Sequence, residues 1–224
     1  MFYNIFSKAN FLEIHIFKKV LLVLGSYIFI CICTLFSLLL IAPVDYFIVN
    51  ILNYESIINL ISESTNEISN ENILKVAIIV PIIEEILFRL ILKPNTFYIS
   101  IFFLFFSFYI LNGNFTKVEF TDFAFYLKFG IAISIAMIVY WKDKYVISFI
   151  NNHNKFFVIF SIILFGLAHI SNIKPFHLPL IIFYPVFIIP QIILGYFITN
   201  IRMKLGFIWG ILLHCLINLI NIYL

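Results

Sequence analysis

Three short patterns in an otherwise apolar chain carry residue types that can do chemistry. They are Glu84-Glu85-Ile86-Leu87-Phe88-Arg89, Phe165-Gly166-Leu167-Ala168-His169 and His214-Cys215-Leu216-Ile217-Asn218. Glu85 and Arg89 stand four apart with the acid first, the order that favours an ion pair along one helix face. Glu84 is turned about 100° from Glu85 by the helical period and is left to face something else. His214 and Asn218 share a face one turn apart, and Asn221 continues it. Together, one Glu, two His and one Asn can activate water and stabilise an oxyanion. A carboxylate in a low-dielectric site can take a proton from water and later return it. A His beside it can hold the water, and the remaining His and Asn can donate hydrogen bonds to the oxygen that becomes negative. That is acyl-transfer chemistry, in practice hydrolysis of a peptide bond. A purely structural reading stands beside it. In that reading Glu84, Glu85 and Arg89 form a salt-bridge knot, and the His and Asn are interhelical hydrogen-bonding groups worth about 0.6 kcal/mol per bond.

The elements that must position these residues are membrane helices. The chain has 224 residues, 63% of them hydrophobic and 11% charged, and a mean hydropathy of +1.11. A soluble domain needs about twice that charge on its surface. Net charge is only +3, without the basic stripe that nucleic-acid binding requires. Cys31, Cys33 and Cys215 make no disulfide framework. Cys31 and Cys33 point to different faces of one helix and read as packing or lipid-facing residues. The surplus of Phe, Ile, Asn and Lys fits an AT-rich genome and hence the cytoplasmic membrane of a prokaryote.

In chain order, Val20 to Ile41 is long enough to span the ~30 Å hydrocarbon core. It exceeds a signal-peptide core and lacks a small-x-small cleavage pattern, so it reads as a retained first span. Residues 43–72 contain no Lys or Arg and read as an extramembrane loop, with a short interfacial helix between Phe47 and Ile61. The polar run that follows reads as solvated loop. Further spans are expected at about 73–92, 97–111, 123–141, 156–170, 178–198 and from Phe207 to the C-terminus. Residues 112–114 form a polar loop between the third and fourth. The expectation is an all-α polytopic bundle of about seven spans in a single integral membrane domain, 1–224. Its motifs lie on 73–93, 156–171 and 206–224, and two additional spans lie in 96–153. Lys and Arg concentrate on one side of these spans, which sets the N-terminus inside. Pro81 lacks an N–H and its ring clashes with the carbonyl of Ala77, so a freed, water-attracting carbonyl is expected one turn before Glu84.

Set in order on separate helices, the three motifs resemble the CPBP intramembrane proteases, also called the ABI family. That family includes the type II CAAX prenyl endopeptidases and bacteriocin-processing or immunity proteins. Pro81, Gly195 and Gly206-Phe207-Ile208-Trp209 add smaller similarities. The resemblance covers about 76–93 and 160–222, and the first 70 residues carry none of it. It implies that Glu84 is the catalytic glutamate, that His169 completes water activation and that His214 and Asn218 form an oxyanion hole. Glu85 and Arg89 are then supporting residues. Glu84 and His169 lie 85 positions apart, farther than in typical members. The surplus holds two spans, an even number, which keeps their helices antiparallel.

The implied activity is an endopeptidase acting on membrane-tethered or lipidated peptides, with lipids and such peptides as partners and no cofactor. Zinc held by Glu84, His169 and His214 is the alternative within enzymes, since two imidazoles and a carboxylate leave an open position. A His-Glu-x-x-His helix is lacking. A proton-coupled transporter and a non-proteolytic immunity or scaffold protein are the alternatives from other classes.

Overall fold

The computed structural model of the protein describes residues 15–69, 73–112 and 122–223, and every regular element among them is helical. The main helices are α1 (Ile16–Asn50), α2 (Ile57–Ser69), α3 (Val80–Arg89), α4 (Thr96–Asn112), α5 (Phe123–Trp141) and α6 (Asp143–Asn152). They continue with α7 (Asn154–Ala168), the single turn α8 (Tyr184–Phe187), α9 (Ile189–Leu205) and α10 (Phe207–Tyr223). A π-helical turn, Lys75–Ile79, leads into α3, and 3-10 turns follow α3 (Leu90–Leu92) and α7 (His169–Asn172).

Among the described residues, three helical stretches are long and apolar enough to cross a membrane: Ile16–Asn50, Phe123–Trp141 and Asn154–Asn172. Only 17% and 11% of the apolar windows of the first two are buried within the protein. Surfaces that apolar belong against lipid rather than water. Thr96–Asn112 and Phe207–Ile222 are shorter apolar helices. The described residues are therefore all-helical in their regular structure, and the chain has the composition and helices of a membrane protein.

The chain forms two compact units, Met1–Ile82 with Ile159–Leu224, and Ile83–Val158. In the first, α1, α9 and α10 share a core of Val23, Ile30, Phe197, Ile198, Ile201, Leu205, Leu213 and Ile217. Gly206 adopts φ 110°, which glycine reaches without strain, and its N–H closes α9 on the Arg202 carbonyl before the chain turns into α10. The buried Arg202 guanidinium lies 4.8 Å from the Phe207 ring centroid across that turn. A second core joins the end of α1 to α2 and to the segment after α7 through Ile41, Ile48, Ile57, Leu60, Ile173 and Tyr184.

The first helix is longer than expected. It passes through Pro43 and ends at Asn50, a length of about 52 Å at 1.5 Å per residue, well beyond a 30 Å core. Asp45, expected in a loop, instead lies on α1 and caps α2. Its Oδ1 accepts from the Ile57 and Ile58 amides at 2.8 and 3.3 Å, and its Oδ2 from the Ser56 hydroxyl at 2.7 Å. Ser56 Oγ in turn accepts from the Asn59 amide at 3.2 Å. The polar run expected as solvated loop is thus helical as far as Ser69, because its N-terminal donors are satisfied before it starts. The helix expected between Phe47 and Ile61 is instead divided between the end of α1, to Asn50, and the start of α2, from Ile57, which buries Ile57 and Leu60 against protein.

Two further expectations are corrected. The sixth apolar run is not one helix from 178. It is broken into Leu178–Leu180, Tyr184–Phe187 and α9 from Ile189, with Pro179, Pro185 and Pro190 each opening a new start. Residues 143–152, read as a connection, form α6. The polar loop expected at 112–114 lies, beyond Asn112, outside the described residues, as does Lys8.

In the second unit α4 and α5 pair as a hairpin. Phe108 meets Phe125 and Phe129 edge-on at 5.7 and 5.9 Å between centroids. The Lys128 ammonium donates to Asn112 Oδ1 at 3.3 Å near the turn end. At the opposite end Thr96 Oγ1 donates to Asp143 Oδ2 at 2.6 Å, tying α4 to the start of α6.

Candidate functional site

Glu84, Glu85 and Arg89 belong to the stretch of α3 within the second unit. Glu85 and Arg89 form the anticipated ion pair, and both side chains are fully buried. Glu84, on the adjoining face, is half-buried. The pairing read from the four-residue spacing is present in the geometry.

The turn before α3 departs from expectation in an informative way. Lys75–Ile79 is a π turn, in which Val80 N–H reaches back five residues to the Lys75 carbonyl. The next bond of that series would join residue 81 to the Val76 carbonyl, and Pro81 has no N–H to give. Val76 O is left for another donor, and Asn218 Nδ2 on α10 supplies it at 3.2 Å. The Val76 carbonyl is thus left open by the proline, and a side-chain amide takes it. Because a carboxamide nitrogen carries two hydrogens, this bond fixes the Asn218 amide and leaves one N–H aimed elsewhere.

His169 opens the 3-10 turn that ends α7 and is half-buried. Its Nδ1 lies 2.8 Å from the Phe165 carbonyl. A carbonyl only accepts, so Nδ1 carries a proton, and in the neutral tautomer Nε2 presents a lone pair. The Phe165 ring, fully buried, lies 4.7 Å from the His169 ring and meets the His214 ring edge-on at 5.6 Å. His214 itself is 1% exposed. One aromatic side chain thus contacts both imidazoles, while its own backbone carbonyl accepts from Nδ1 of one. Compared with protein-family models, curated proteins and solved structures, the chain matches none of them.

Gly166 lets α7 approach α9. A Cβ there would stand 2.5 Å from Ile192 Cγ1, closer than atoms can pack. The Phe165-Gly166 pair therefore serves two purposes, one holding imidazoles and the other seating a neighbouring helix. In the first unit the structure brings His169 and His214 together on Phe165, and it brings Asn218 to the π turn. Among the described residues no three His, Cys, Asp or Glu side chains cluster as a metal ion would need. Spacing missed the roles of Phe165 and the Val76 carbonyl. Phe165 was visible only as a motif letter, and a backbone acceptor has no sequence signal apart from the proline five residues on.

Proposed function

We propose that the protein is an intramembrane endopeptidase of the CPBP type, which hydrolyses membrane-tethered or lipidated peptides with a glutamate-activated water. The observation that supports it most is the fixed tautomer of His169. Its Nε2 lone pair is held ready to accept from water while Phe165 aligns His214. In the reaction Glu84 takes a water proton as the water oxygen bonds to the scissile carbonyl carbon, and His169 holds that water. The carbonyl electrons move onto oxygen, where His214 and the second Asn218 N–H stabilise the negative charge. Collapse breaks the C–N bond, and Glu84 returns its proton to the departing nitrogen. Glu85 and Arg89 hold α3 in place and take no part in proton transfer.

The proposed setting is a seven-span bundle with the N-terminus inside, in the cytoplasmic membrane of a prokaryote. A second reading, a non-proteolytic scaffold or immunity protein, draws on the Asn218 bond to Val76 and the Glu85–Arg89 pair, which are structural ties whether or not the protein is an enzyme.

The test is cleavage of membrane-tethered fluorogenic peptides by the purified full chain, compared with His169→Ala and Asn218→Ala. Each variant is expected to lose about 10²–10³-fold in rate, the scale of losing a water-positioning or oxyanion group. Undiminished cleavage in both would contradict the assignment. Loss of wild-type cleavage on chelation would point instead to the zinc reading.

A further inference from the structure

The second unit holds a cleft that the proposed chemistry does not use. It has a volume of about 670 Å³ and lies between α4, α5 and the start of α6. Its walls are apolar over most of their length, formed by Phe97, Ile101 and Leu104 of α4 and Ala136 of α5. From Thr96 to Leu104 it follows α4 for about 12 Å at 1.5 Å per residue. One end is polar, and there Thr96, Tyr140 and Asp143 line it.

The Asp143 carboxylate accepts from Thr96 Oγ1 on Oδ2 and from the Lys144 amide, at 2.6 Å, on Oδ1. A carboxylate offers about four acceptor positions, so the group is oriented by two neutral donors with capacity for a cation. Lys142 and Lys144, both exposed, flank it in sequence. Trp141 and Tyr145 are 74% and 75% exposed, aromatic side chains of the kind that lie at headgroup level. An apolar furrow that ends in a carboxylate, with two exposed lysines and two exposed aromatic residues next to it in sequence, matches a molecule with a tail, an ammonium and a phosphate.

We propose that this cleft binds one diacyl phospholipid whose headgroup carries a primary amine, a phosphatidylethanolamine of the bilayer. The amine lies on Asp143, the phosphate faces Lys142 and Lys144, and the upper part of one acyl chain runs along Phe97, Ile101 and Leu104. The cleft falls within the ~300–1,000 Å³ range of small-ligand pockets, room for a headgroup and part of one chain rather than a whole lipid. The choice of an amine lipid over an anionic one rests on Asp143, since a glycerol headgroup brings no cation to that carboxylate. The inference requires the α4–α5 hairpin to lie in the membrane and is independent of the peptidase reading.

The test uses delipidated full-chain protein titrated with phosphatidylethanolamine or phosphatidylglycerol and read by native mass spectrometry. Wild type is expected to retain one phosphatidylethanolamine with about tenfold preference over phosphatidylglycerol, the scale of one charge-assisted hydrogen bond. Asp143→Asn, which still accepts from Thr96, is expected to erase the preference while lipid binding persists. Ala136→Trp, which fills the cleft, is expected to abolish the retained lipid with unfolding temperature within a few degrees of wild type. Equal retention of both lipids by wild type, or an undiminished preference in Asp143→Asn, would overturn the proposal. Should Asp143→Asn fail to fold, Ala136→Trp decides: persistent one-to-one retention in that variant also overturns it.

Discussion

At the scale of single residues, the two adjacent glutamates are separated by their surroundings. Glu85 lies in a fully buried pair with Arg89, while Glu84 is half-buried on the next face. Removing one member of a buried ion pair typically costs about 3–5 kcal/mol, because the other charge stays in a medium that solvates it poorly. Glu85→Gln is accordingly expected to lower unfolding stability in detergent by about 3 kcal/mol and to reduce abundance, whereas Glu84→Gln should leave stability within about 1 kcal/mol of wild type. Chemical unfolding of both variants checks this, and equal destabilisation would contradict the division. This much was legible in the sequence, since a four-residue offset fixes who can pair along a helix. The orientation of His169 was not legible, because its partner is the Phe165 carbonyl, a group every residue has.

At the scale of elements, the Val76 carbonyl links α10 to the turn before α3. Asn218→Ala removes the donor and is expected to cost about 1 kcal/mol in otherwise wild-type protein, within the range measured for interhelical bonds in membranes. Pro81→Ala restores an N–H that can close the π series onto the same carbonyl. In that background Asn218→Ala should cost close to nothing, a coupling that a double-mutant cycle reads directly. Equal costs in both backgrounds would contradict the account. Gly166→Ala sets a methyl 2.5 Å from Ile192 Cγ1. An overpacked contact of that kind costs about 1–3 kcal/mol, and thermal unfolding should show the loss. The extents of α4 and α5 were readable from hydropathy almost to the residue, because both are predominantly apolar runs bounded by polar ones. The end of α1 was not, because Pro43 and Asp45 both look like loop residues. Proline is tolerated within a long helix, and the Asp45 carboxylate is satisfied by donors at Ser56, Ile57 and Ile58, about a dozen residues away. Asp45→Ala should therefore behave as loss of a helix cap, costing about 1–2 kcal/mol.

At the scale of the whole molecule, membrane residence follows from helices whose apolar faces are mostly uncovered, and an all-helical fold follows from backbone groups that must be satisfied without water. The proposed topology has its own test. In a seven-span chain with an internal N-terminus, Glu55→Cys is expected to react with an impermeant maleimide on intact cells, while Lys144→Cys should react only after permeabilisation; the reverse pattern would contradict it. The central claim is that Glu84 activates water for peptide hydrolysis, and the most direct measurement compares cleavage of a membrane-tethered peptide by purified wild type and Glu84→Gln, each with and without a metal chelator. The account predicts cleavage by wild type that is indifferent to the chelator and is lost in a folded Glu84→Gln protein. Cleavage that survives Glu84→Gln undiminished would contradict it.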